Sequence, residues 1–252
     1  MAYLINKEVF FSYVRRNPFG GRLTPQQVDG LSRILDYWEA HYRTRDIRWL
    51  AYCLATAYHE TAHTMQPVRE MGGEKYLRSK KYYPWVGEGL VQVTWEENHR
   101  KFGATKPGQL MTWEKALPAL FEGMIHGKFT GHRLSQYFAG EKEDARGARQ
   151  IVNGTDKAGL IKDYYTAFLG ALRPSLAAEP PEDVSPEEAK PDSTPVTKDP
   201  QVLIPAAGGL GASLIAAVSS PWGVAALIVL VLAAAGGAYF YYRNKEKWTK
   251  GV

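Results

Sequence analysis

Candidate chemistry in this chain centres on the hexapeptide Tyr58-His59-Glu60-Thr61-Ala62-His63. Two histidines four residues apart share one face of a helix, and a glutamate between them completes the H-E-x-x-H pattern of zinc peptidases. In that reading His59 and His63 bind the metal and Glu60 is the base. A third ligand is required, and His99, His126 and His132 are candidates by elimination. A second reading treats Glu60 as a carboxylic acid near the end of a buried helix, where apolar surroundings raise its pKa and let it hold a proton near neutrality. Glycoside cleavage needs such an acid plus a second carboxylate across the sugar, and it uses no metal or cofactor. Glu70 lies on the loop leaving the helix, past Pro67, and Glu74 and Glu88 on the same loop compete for the role.

The elements that must position these groups read as mainly α. Thr24 is placed to cap a helix running to about His41, with Val28, Leu31, Ile34, Leu35 and Trp38 on one face. Asp46 caps the next, where Ile47, Leu50, Ala51, Leu54, Ala57 and Tyr58 recur at helical spacing. Pro67 is expected to stop that helix near Met65, because the residue before a proline is pushed out of the α region. A loop rich in Gly, Lys and Tyr follows from Gly72 to Gly89. Further helices are expected over 113–126, 143–152 and 157–172, and the one strand signal is the short run Leu90–Thr94.

Several blocks, in order, carry a resemblance. They are His59-Glu60-Thr61, Val68-Arg69-Glu70, Tyr82-Tyr83, the run Gly87-Glu88-Gly89-Leu90-Val91-Gln92-Val93-Thr94-Trp95, and Asn98. Phe129-Thr130-Gly131 with Leu134-Ser135 follows, then the block from Ala148 to Ala158. Together they resemble phage-type endolysins related to the family-19 glycoside hydrolases (chitinase-like), over about residues 25–172. The resemblance implies a lysozyme-like helical domain with a short β element. It also implies that Glu60 is the general acid and that Glu70 is the carboxylate activating water in an inverting attack. Gln92, Thr94 and Asn98 would line the sugar groove, and Asn153 would be a further sugar contact. Inversion requires ~6.5–9.5 Å between the two carboxyls. One departure stands out: the family has Gly-Arg-Gly where this chain has Gly87-Glu88-Gly89. An anion beside the catalytic pair is expected to raise nearby carboxyl pKa values by repulsion.

Each of these residues also has a plainer reading. His59 and His63 can be packing groups, Glu70 can be an exposed ion-pair partner of Arg69, and Gln92, Thr94 and Asn98 can satisfy backbone groups at a strand end. Trp49, Trp95 and Trp113 read as core rather than as sugar platforms.

Charge divides the 252 residues into three materials: +7 over 1–173, −5 over 174–200 and +3 over 201–252. The first is long enough for one domain with its own core. The second holds 7 of the 15 prolines and no aromatic residue, and reads as a disordered acidic linker. No residue from Gln201 to Tyr242 is charged. Within that stretch, 222–242 matches the ~20 apolar residues of a membrane span and is flanked by interfacial Trp and Tyr. Residues 203–218 are a weaker second candidate. The basic tail 243–252 favours a cytoplasmic C-terminus. Lys7, Glu8, Arg15 and Arg16 interrupt any apolar run at the start, so no secretory signal is expected there. The lone Cys53 excludes an intrachain disulfide and a Cys-rich metal site.

The expectation is a membrane-anchored peptidoglycan hydrolase of prophage or bacterial origin, cutting a β-1,4 glycosidic bond. Its catalytic domain would face the periplasm and cell wall from the inner membrane. Its basic surface suits a polyanionic envelope polymer, and no nucleic-acid partner is expected. The alternatives are a chitinase, the zinc peptidase above, and a non-catalytic glycan-binding module on a membrane stalk.

Overall fold

A computed structural model describes residues 4–177 and 181–192. Helix α1 (Lys7–Arg16) is capped by Asn6, whose side chain accepts from Val9 N–H. Helix α2 (Pro25–Tyr42) starts with a full capping box: Thr24 accepts from Gln27 N–H, and the Gln27 side chain accepts from Thr24 N–H. Helix α3 (Ile47–Glu60) starts at Asp46, whose carboxylate takes Arg48 N–H. Every residue of α3 from Trp49 to Tyr58 is buried, so this helix is wrapped on all sides rather than on one face. It packs against α7 (Ala158–Ser175), which also covers α1. On the far side of the core, Trp38, Tyr37 and Tyr42 of α2 pack their rings on Phe121 of α6 (Trp113–His126).

The β structure is slight. Strand β1 (Val68–Arg69) pairs antiparallel with β2 (Glu88–Gly89), and between them lies the short helix α4 (Glu74–Arg78). Helix α5 (Glu96–Lys101) follows, and β3 (Phe138–Ala139) pairs with β4 (Lys142–Glu143) before α7. The architecture is thus mainly helical, as the periodicity predicts.

Four local expectations differ from what forms. Helix α3 ends at Glu60, five residues short of Met65, because Thr61 diverts the backbone. Its hydroxyl donates to Ala57 O and accepts from Met65 N–H, and Ala62, His63 and Met65 all take positive φ. That turn lies hard against α2, where only a glycine fits: a Cβ on Gly30 would stand 1.9 Å from Met65 O. The expected strand over 90–94 is instead a tight turn, with Gly89 at φ 83 and Gln92 at φ 53, that returns Val93 to bridge Glu88. The expected helix over 143–152 is β4 plus a 3-10 turn at Gly147–Ile151.

The fourth difference concerns the acidic stretch. Helix α7 runs through Pro174 to Ser175, and Asn6 N–H donates to Ser175 O. Residues 181–192 do not run free as an extended spacer but lie along α1. Arg15 donates to the carbonyls of Glu188 and Lys190 and to the Asp192 carboxylate, while Arg16 pairs with Asp183 and Glu188. Asp192 and Leu23 exchange hydrogen bonds in both directions. The seat is electrostatic: acidic side chains meet two adjacent arginines at the end of a helix. Among the described residues no helix is long and apolar enough to cross a membrane. The spans read at 203–218 and 222–242 and the basic tail lie outside the described residues.

Candidate active site

A cleft of about 380 Å³ opens beside the end of α3. Glu60, Gln92, Thr94, Asn98 and Asn153 line it together with Tyr82, Trp95, Phe129 and Val152. These residues come from α3, the loop before β2, the 90–95 turn, α5 and the segments around 129 and 152. Five of the six residues singled out in the sequence therefore meet in one place.

Glu60 stands at the last position of α3, where the turn at Thr61 exposes its end while the preceding turns stay buried. Its surroundings are not the apolar pocket expected. Arg149, 89 positions away and 3% exposed, donates from Nη1 to Glu60 Oε1 at 2.7 Å. The same guanidinium is fixed through Nε to Asp156 O, so it holds one carboxylate oxygen in a set orientation.

Glu70 is not itself in the cleft lining but is held one residue behind it. Tyr82 donates its hydroxyl to Glu70 Oε1 at 2.8 Å, and Gly87 N–H donates to Oε2 at 2.9 Å. Burial, then the bond to Glu70 and its charge, push the Tyr82 phenol up to about 12, so it stays a donor at neutral pH. The competing carboxylates go elsewhere. Glu74 is exposed on α4 between Arg69, Arg78 and the Tyr83 hydroxyl.

Glu88 corrects the expectation built on its sequence position. It is 1% exposed and turned away from the cleft, accepting from Gly108 N–H at 2.5 Å and Leu110 N–H at 3.3 Å. His99, wholly buried on α5, brings Nε2 to 3.5 Å from Glu88 Oε2 and places Nδ1 2.9 Å from Trp95 O. Burial opposes the Glu88 charge most strongly. The bonds from His99, Gly108 and Leu110 and the charge of the ring outweigh it and hold the carboxyl below its ordinary value. Glu88 therefore ties the β2 hairpin to α5 and the 108–110 turn instead of facing Glu60 and Glu70.

The polar row is engaged with the backbone as well as lining the cleft. Gln92 Nε2 donates to Val68 O at 2.9 Å, Thr94 donates to Gln92 O, and Asn98 Nδ2 donates to Thr94 O. These bonds hold the turn while the same residues line the cleft. Gly87 permits the arrangement, since a Cβ there would stand 2.8 Å from Gln92 Oε1.

The histidines do not form the metal pair that the zinc-peptidase alternative requires. Because α3 stops at Glu60, His63 lies beyond the helix at φ 68 and not one turn along it. Its ring stacks on Tyr58 at 4.0 Å, and Gln27 Nε2 donates to its carbonyl. Burial, with a smaller push from His59, lowers its pKa to about 4. The His59 pKa is lowered chiefly by burial. Among the described residues no three His, Cys, Asp or Glu side chains gather where they could hold a metal ion.

Sequence reasoning missed Arg149, Tyr82 and Trp95 as parts of this site. Arg149 and Tyr82 lie in blocks that carry the resemblance, but their partners are set by long-range contacts. No family model matches the chain, nor does any curated protein or solved structure.

Proposed function

We propose that the domain is a lysozyme-like glycoside hydrolase that cuts a β-1,4 bond in an amino-sugar polymer, with peptidoglycan as the substrate. The observation that carries the reading is the convergence of Glu60, Gln92, Thr94, Asn98 and Asn153 on one cleft, with Glu70 one side chain behind it. A carboxyl at the cleft wall and a second carboxylate poised nearby are the two groups that glycosidic cleavage requires. Glu60 gives its proton to the departing glycosidic oxygen, oriented by Arg149. Glu70, behind Tyr82, takes up the proton of the attacking water by way of the Tyr82 hydroxyl, which passes its own proton to the carboxylate. The amides and hydroxyl of the polar row bind the sugar hydroxyl and acetamido groups. The uncharged stretch 201–242 and the basic tail would anchor the domain at the inner membrane, with the cleft turned toward the wall.

Purified full-length chain in mild detergent, added to a suspension of cell walls, tests this. Clearing is expected, with new reducing ends by mass spectrometry, and Glu60→Gln should slow it by about 10²–10⁴-fold. Intact glycan with cut peptides would return the reading to a peptidase. Binding without clearing would make the domain a glycan-binding module. Faster release from chitin than from walls would assign it to chitin, which shares the linkage.

A further inference from the structure

Trp95 is the most conspicuous residue of the cleft that this mechanism leaves unused. It lines the same cavity as Glu60 and is 50% exposed, whereas the core indole of Trp38 is fully buried. Its backbone sits at φ 74, ψ 142, close to a region that is essentially reserved for glycine. A bulky side chain at positive φ is a genuine outlier, and such strain persists only where the surroundings enforce it. The surroundings do so here. Trp95 N–H donates to Trp85 O, while Trp95 O accepts from His99 N–H and faces His99 Nδ1. The indole gains little from this placement in packing. Among the described residues its one ring contact is with Tyr82, edge to face at 5.5 Å. A strained backbone that holds a large apolar ring out toward a polar cleft is a poor solution for folding and a good one for presenting a flat surface.

We propose that Trp95, steadied by Tyr82, is a stacking platform for a pyranose ring of the amino-sugar chain, a subsite beside the cleaved bond. Such a subsite presupposes the glycosidase activity proposed above and gives it a place to bind sugar. A β-linked hexosamine has its polar groups around the ring edge and C–H groups on its faces. The edge groups suit Gln92, Thr94, Asn98 and Asn153, and the face needs an aromatic plane of this kind. Tyr82 then has two tasks: its ring braces the indole and its hydroxyl holds Glu70. Sugar seated on the platform is thereby registered against the carboxylate pair.

The test uses the full chain in mild detergent carrying Glu60→Gln, so that a bound sugar is not cut, and the probe is N-acetylchitohexaose. Calorimetry should show Trp95→Phe binding within about threefold of the parent, since a flat ring remains. Trp95→Leu and Trp95→Gly should bind about tenfold more weakly, equivalent to ~1.4 kcal/mol. Trp95→Gly relieves the backbone, so its melting temperature should equal or exceed the parent's while binding falls. A purely structural tryptophan would give the reverse pattern. Hexasaccharide should also blue-shift the tryptophan emission of the parent, and Trp95→Phe should lose that shift while keeping affinity. Equal binding by the Phe, Leu and Gly variants overturns the platform. So does a Trp95→Gly chain whose weaker binding merely follows a lower melting temperature. Failure of the underlying reading looks different: the parent binds no hexasaccharide and the native chain clears no walls. Glu60-dependent clearing with Trp95-independent binding removes the platform alone.

Discussion

Replacing Glu88 by glutamine changes one atom and should still cost more than an average surface substitution. The carboxylate accepts from Gly108 N–H and Leu110 N–H and stands 3.5 Å from His99 Nε2, with both side chains 1% exposed or less. Glutamine keeps one acceptor oxygen. Its NH2 must turn toward either a backbone N–H or the ring nitrogen. A buried donor left without its acceptor costs about 1–3 kcal/mol. For a body of this size that is a fall of roughly 2–12 °C in melting temperature, at 2–4 °C per kcal/mol. The pH dependence has a definite sign. The Glu88 pKa is lowered in the folded state, so its contribution is fully present above the ordinary carboxylate value and is lost as pH falls through the folded one. Native chain and Glu88→Gln should differ most at neutral pH and converge as pH falls from the ordinary carboxylate value through the lower folded one. Adding His99→Phe removes the ring left facing a neutral amide and should recover part of the loss. Melting of the full chain by circular dichroism, from pH 3 to 8, measures all of this. A Glu88→Gln chain that melts with the native protein at pH 7, or a gap that widens on acidification, would refute the assignment of this pair as the anchor of the hairpin.

The other expectations concern the turn after α3 and the acidic segment. His63 has a folded pKa near 4, well below that of an unfolded histidine, so the unfolded chain takes up the proton first as pH falls. The fold should lose ~2–3 kcal/mol between about pH 6.5 and 4 on this account, and His63→Asn, which tolerates positive φ, should flatten that limb of the melting profile. An unchanged slope would assign the acid sensitivity elsewhere. Arg15 grips 181–192 with a side chain only 12% exposed. In Arg15→Ala a glutamyl endopeptidase should cut at Glu187 and Glu188 roughly tenfold faster, with the bulk of the helical body intact. Equal cutting rates would mean that the segment is held by other contacts.

Much of the helical frame was legible because its signals are local. Thr24 with Gln27, and Asp46 before Ile47, announce helix starts within four residues, and the apolar periodicity of α2 needs no partner to be read. The polar row and Glu60 could be picked out because their residue types and order resemble a known arrangement. The end of α3 could not be read, since proline marked an obvious stop while the hydroxyl of Thr61 and the closeness of Gly30 ended the helix sooner. The run Leu90–Thr94 looked like a strand because its apolar pattern says only that it is buried. Two positive φ values decide that it turns.

Residue types and local spacing determined a mainly helical body, where its helices begin, and a set of polar candidates around Glu60. Tertiary structure decided which of those groups meet. It carried Arg149 across 89 positions to Glu60, buried Glu88 against His99 instead of leaving it in the cleft, and laid the acidic segment along α1. The reason is physical. A cap or an amphipathic face is paid for within a few residues of chain, whereas a contact between distant residues exists only once the whole core has packed and fixed where each segment returns.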